Sequence, residues 1–143
     1  MRVVVDTNVL ISALLKADSV PARIVSIWRE GAIELVLSSA IVAEVTRVLA
    51  YPRIRSRVSE TDAERFIALL HAAATFVEPL ESVIAVEPDP DDDKFVALAL
   101  ASGAGVIISG DSHLLNLEAF QDIQIIGPAQ FIEMMLSSAS GEE

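Results

Sequence analysis

The sequence predicts a three-layer α/β domain built on a parallel sheet, and three observations predict it. Short β-branched runs alternate with segments of helical period along the whole chain, which is the pattern of strands joined by helical crossovers. The run "VIIS" at 106–109 has no polar alternation, as expected of a strand buried on both faces. A length of 143 residues with 52% apolar content suits one domain with a real core.

The elements follow in order. "RVVV" is a strand by its β-branched density and stops at Asp6, after which "TNVLISALLK" has apolar residues at helical spacing. "ELVL" is a second strand, and "SSAIVAEVTRVLAY" a helix capped by Ser38 or Ser39 and ended by Pro52. "TDAERFIALLHAAA" opens with capping-box spacing from Thr61 to Glu64 and leads into a short third strand around residues 75–77. Between Glu87 and Asp93 five of seven residues are acidic, and "DDKFVALALASG" continues as a helix into the fourth strand, "VIIS". "IQII" is the fifth strand, and Pro128 takes the first helical position of "PAQFIEMML". The domain is expected to span 1–136, with 137–143, "SSASGEE", as a disordered tail.

Composition narrows the function classes. Without cysteine there is no disulfide framework and no thiolate metal site, and His71 and His113 alone are too few for an ordinary zinc site; an intracellular, cytoplasmic setting is expected. No basic stretch precedes an apolar core at the start, and no apolar run reaches the ~18 residues that span a bilayer. The expectation is a soluble protein with no membrane partner. A net charge of −11 argues against nucleic-acid binding as a bulk property, yet five of the ten basic residues lie between Arg47 and Arg65. That segment, with Arg47, Arg53, Arg55 and Arg57, reads either as a phosphate-binding arm or as a solvated helix and loop.

In a sheet of this kind ligands bind at the carboxyl ends of the strands, near the point where strand order reverses. Asp6 directly follows the first strand and Asp111 closely follows the fourth. Glu44 lies early in the helix after the second strand, and Asp92 and Asp93 begin the helix leading into the fourth. A crossover helix runs antiparallel to its strands, so these helix starts face the same rim. Taken singly, each acid has a plainer role as a cap, a turn residue or a helix-dipole partner. Taken together, carboxylates gathered at one rim repel unless some take up protons or a cation binds. Hard oxygen donors without thiolate or imidazole suit Mg²⁺ or Mn²⁺.

The segments "VVVDTNVLISA", "SSAIVAEVTRVL", "DPDDDKFVALALASGAG" and "VIISGDSHLL", in that order over about 120 residues, resemble the PIN-domain ribonucleases. Within that family the chain is most similar to the small stand-alone toxin components of toxin-antitoxin pairs. The resemblance implies a five-stranded parallel sheet, a homodimer, an antitoxin partner and metal-dependent cleavage of single-stranded RNA. By position the family's acids fall on Asp6, Glu44, one aspartate of 91–93, and Asp111. Asp92 is the chosen third acid, because Phe95, Val96 and Ala99 then match the family helix and Gly103 falls at its end; Asp93 is the alternative. Asp6, Asp92 or Asp93, and Asp111 would be metal ligands, with Glu44 a ligand or an orienter of water. Thr7 and Ser109 would bring hydroxyls to the acids, with Asn8 beside them in a supporting place.

Two other classes stay open on the residues alone. An aspartyl-phosphate phosphatase or receiver domain also gathers acids at such a rim, but the phosphatase pattern has a second aspartate where this chain has Asn8. A PIN-like module that binds RNA or protein without cutting is the non-enzymatic alternative, against which stand the acids at all four positions. Neither histidine is expected to be catalytic. Trp28 and Phe66 read as core, and Met134 and Met135 as core or dimer packing.

Overall fold

Val3 and Val4 of β1 (Arg2–Val5) have no exposed surface, and neither do Ile107 and Ile108 of β4 (Val106–Ile108). The two strands pair in parallel, Val4 opposite Ile107, at the middle of the sheet. Truncating such a residue would leave a cavity no neighbour can fill, at a cost of about 2–5 kcal/mol for isoleucine to alanine. In the computed structural model, which describes residues 1–79 and 93–140, the strand order is β3-β2-β1-β4-β6-β5. The remaining strands are β2 (Glu34–Leu37), β3 (Thr75–Phe76), β5 (Ala119–Phe120) and β6 (Ile123–Ile126).

The five expected strands are present and mutually parallel. A sixth, β5, pairs antiparallel with β6 at the edge and corrects the expected count. It is two residues long, and its corner is Gln121-Asp122, with Glu118 and Gln121 at positive φ rather than a glycine or asparagine. Neither periodicity nor turn chemistry announces such a hairpin.

Helices occupy the crossovers. From β1 the chain moves outward through α1 (Thr7–Leu15) and α2 (Val20–Arg29) to β2. It continues through α3 (Ser39–Leu49), α4 (Pro52–Arg55) and α5 (Glu60–Ala73) to β3. The path then returns through α6 (Asp93–Ser102) to β4, on the other side of β1. Right-handed crossovers in opposite directions put α6 on the face opposite to α1–α5. Accordingly α6 packs on β1, β2 and β4, whereas α1 packs on α2 and α3, and α2 on α8 (Pro128–Ser140). The three-layer class is thus observed, and the strand order reverses between β1 and β4. Short α7 (Ser112–Leu115) follows β4.

Three boundaries depart from expectation. α2 is an additional helix, capped by Ser19, whose hydroxyl accepts from Ala22 N, with Pro21 in its first turn and Ile24 and Trp28 buried. α5 starts earlier than the Thr61 spacing suggests, because Ser59 accepts from Asp62 N at 3.0 Å and supplies the cap. α8 runs through Ser140, beyond the apolar stretch that predicted it; Ser and Ala cost a formed helix little, and propagation beyond an established turn is favourable. Gly103, at φ 73, ends α6 in the left-handed conformation that glycine takes without strain. Among the described residues, no helix is long and apolar enough to cross a membrane.

Candidate active site

Asp6 lies where β1 ends and α1 begins, at the point of strand reversal. Its backbone N–H still follows the sheet and donates to the Ile108 carbonyl at 2.9 Å, while its side chain already caps α1. Oδ1 accepts from the Asn8 backbone N–H at 3.2 Å, and Oδ2 accepts from the Ser109 hydroxyl at 2.7 Å. Only 4% of the residue is exposed. Burial pushes the Asp6 carboxyl above the usual aspartate range, against the two hydrogen bonds, and the nearby charges of Asp111 and Glu44 push it further.

Ser109 connects the ends of two strands. It has no exposed surface, and its backbone N–H donates to the Ile126 carbonyl at 3.0 Å. The same hydroxyl that donates to Asp6 accepts from the Asp111 N–H at 2.9 Å, so one side chain fixes both acids. Asp111 is half-buried, and its carbonyl accepts from Leu115 N at the start of α7. A groove of about 250 Å³ opens beside it, lined by Asn8, Ser12, Gly110, Asp111 and Pro128 among others.

Glu44 reaches the rim from α3. The Thr7 hydroxyl donates to its Oε1, Lys94 Nζ of α6 lies 2.5 Å from its Oε2, and Arg47 Nη2 lies 3.8 Å from the same oxygen. Burial alone would raise the Glu44 carboxyl. The Lys94 and Thr7 hydrogen bonds and the charges of Lys94 and Arg47 outweigh it and hold the group below the usual glutamate range.

Asp93 opens α6 and is buried, 8% exposed. Asp91 and Asp92 lie outside the described residues, so the choice of third acid between Asp92 and Asp93 is not decided by position. Among the described residues, no three acidic or histidine side chains stand close enough to form a ready cage for a metal ion. The donor chemistry nonetheless fits a hard divalent cation: Asp6 is an oxygen donor whose burial a cation would offset, and Asp111 is tied to it through Ser109. Mg²⁺ keeps several waters and is commonly held through one or two carboxylates, a donor number that Asp6 and Asp111 match.

Lys94 is the rim residue that sequence reasoning missed. Its signal, a lone lysine just after the aspartate run, is weak, because the partner that gives it meaning is fifty positions away. The arginines separate. Arg47 borders the rim through Glu44, whereas Arg55 is paired with Glu60 at 3.0 Å and lines a second groove between α3 and α5. Arg53 and Arg57 are exposed on and just after α4. Trp28 and Phe66 are core residues, and Met134 and Met135 pack partly buried against that core. His71 stacks on Phe76 with ring centroids 5.5 Å apart. The side chain of His113 lies outside those described.

A family model described as PIN domain matches residues 2–113, a span that contains all four expected acid positions. The uncharacterized protein MJ1680 of Methanocaldococcus jannaschii is 30% identical over 118 residues, which is 82% of this chain and 75% of that protein. Among solved structures, a chain of VapBC2 from Rickettsia felis, determined bound to a DNA fragment from their promoter, matches with a TM-score of 0.60. The match is 10% identical and covers 89% of this chain and 98% of that one. At that identity the likeness carries the fold alone.

Proposed function

The chain belongs to the PIN-domain family, and from that membership and the setting of Asp6 we propose that it is an endoribonuclease that uses Mg²⁺ or Mn²⁺ to cleave single-stranded RNA. Nuclease chemistry with a divalent cation is general to PIN domains. The observation that carries the reading is the Asp6 carboxylate, buried at the reversal of strand order, raised in pKa, and fixed to Asp111 through Ser109. A buried acid with a perturbed pKa at a ligand-binding rim is what catalysis needs and what folding alone does not.

Asp6 and Asp111, with Asp92 or Asp93, would hold the cation. When bound, the ion supplies Lewis acidity, making water nucleophilic at neutral pH and offsetting charge on the phosphodiester. The protein's own part is positional. Ser109 aims Asp6, Asn8 fixes its second oxygen through the backbone, and Thr7 with Lys94 holds Glu44 ionised where it can orient a water. Arg47, Arg53, Arg55 and Arg57 would contact RNA phosphates beyond the rim.

A toxin role with an antitoxin partner belongs to the same proposal. Its support is the shared fold with a chain of VapBC2 and the resemblance of the motifs. A homodimer in the cytoplasm, with the PIN domain over 1–136, completes the reading. The test is cleavage of a labelled single-stranded RNA by the purified protein in Mn²⁺ and in chelator, beside Asp6→Asn. The parent should cut only with metal, and Asp6→Asn should lose at least about a hundredfold, since residues that merely orient metal ligands already contribute about 10- to 100-fold. A variant that cuts as fast as the parent would overturn the assignment.

A further inference from the structure

We propose that Lys94 is a positioning residue, a built-in cation that pins Glu44 at the rim and thereby keeps Glu44 out of direct metal ligation. The inference rests on the nuclease reading above. Glu44 offers two oxygens, and each is engaged: Oε1 by the Thr7 hydroxyl, Oε2 by Lys94 Nζ at 2.5 Å. Three elements meet at this carboxylate, α1 through Thr7, α3 through Glu44 itself and α6 through Lys94. The pair is partly withdrawn from water, with side-chain exposures of 27% for Lys94 and 20% for Glu44, so its attraction is screened less than that of a surface pair.

Helix stability does not explain a lysine here. Lys94 is the second residue of α6, where a cation opposes the helix dipole and an acid would be favoured. Its ammonium also lies 5.3 Å from the Phe95 ring centroid, a contact that adds to holding it in place. The ammonium therefore stands at the rim because Glu44 does. A divalent ion approaching Oε2 would meet that ammonium at close range, and the repulsion directs the ion toward Asp6 and Asp111. Glu44 remains ionised and fixed, able to accept a hydrogen bond from water but not free to swing onto the ion.

Two opposite effects of one substitution follow. Lys94→Met keeps chain length and removes the charge, so Mn²⁺ should bind about three- to tenfold more tightly, while single-turnover cleavage should fall about 10- to 100-fold because Glu44 is no longer held. Lys94→Arg, which keeps the charge, should restore both toward the parent. Lys94→Gln provides a second neutral variant should the methionine disturb folding. Mn²⁺ affinity is measured directly, by calorimetry or by the spectroscopic signal of free Mn²⁺, and so reads the proposal even if no RNA is cut. Absence of cleavage by the parent would defeat the nuclease reading and leave the binding comparison intact. Weaker or unchanged Mn²⁺ binding in both neutral variants, or cleavage by them at the parental rate, would overturn the role of Lys94.

Discussion

Glu34 at the amino rim of this sheet and Asp6 at the carboxyl rim are treated in opposite ways. At the amino rim, Glu34 at the start of β2 accepts from Thr75 Oγ1 at 2.5 Å and from Arg2 Nε at 3.2 Å, and Arg2 also donates to the Ser102 carbonyl at the end of α6. Those hydrogen bonds, Thr75 first and then Arg2, hold the Glu34 carboxyl below the usual glutamate range. At the carboxyl rim, Asp6 is buried, hydrogen-bonded to neutral donors, and pushed up by its burial and by Asp111 and Glu44. The amino rim joins three strands and a helix with matched charge in water. Its counterpart keeps a carboxylate where burial disfavours the charge, which is the pattern expected of the proposed site.

Apart from Asp6 itself, the largest expected effect lies at Ser109. Ser109→Ala removes the hydroxyl from Asp6 and the acceptor from the Asp111 N–H, so cleavage should drop about 10- to 100-fold, as for other residues that orient metal ligands. Glu34→Gln, at the other rim, should leave the cleavage rate unchanged in the same assay. Equal losses from both would erase the distinction between the rims.

The pH dependence should also separate them. A carboxyl raised in the folded state is destabilising while ionised, so the Asp6 penalty is full above its raised pKa and is relieved as pH falls through that pKa toward the unfolded value near 4. Glu34 and Glu44, lowered in the folded state, stabilise above their unfolded values and lose that contribution only as pH falls through the depressed pKa. Asp6→Asn should therefore raise the metal-free melting temperature at pH 7, and the gain should shrink toward pH ~4. A gain that did not change with pH, or a loss at pH 7, would contradict the assigned electrostatics. The smallest effect is expected from Arg53, Arg55 and Arg57 replaced together. RNA affinity should become less salt-dependent by up to about 0.7 log units per lost contact, and an unchanged slope would return these residues to a solvated face.

Much of this was legible in the sequence because it is local. Strands such as "VIIS" and "IQII" declare themselves by composition, and the alternation of strands with helices places Asp6 and Asp111 on one rim before any contact is known. α2 was missed, although Ser19 and Pro21 are helix-start signals that could have found it. The two-residue β5 lacks both length and turn residues. Ser109 was found for its hydroxyl, but its double hydrogen bond depends on the chain turning at Gly110 so that the Asp111 N–H points back. Lys94 is the clearest limit, since pairing with Glu44 depends on how α3 and α6 end at the same rim, and no short window of sequence contains both.

The central claim is that the carboxyl rim keeps Asp6 for a cation. It is tested most directly by the melting temperature of the parent and of Asp6→Asn, each in chelator and in Mn²⁺ at about a hundredfold excess over its dissociation constant. A ligand that binds only the folded protein adds about 2.7 kcal/mol at that excess, so the parent should melt several degrees higher with Mn²⁺. Asp6→Asn should start higher in chelator and lose most of the metal-induced rise. Equal rises in the two proteins would contradict the account, because Asp6 would then have no part in holding the ion.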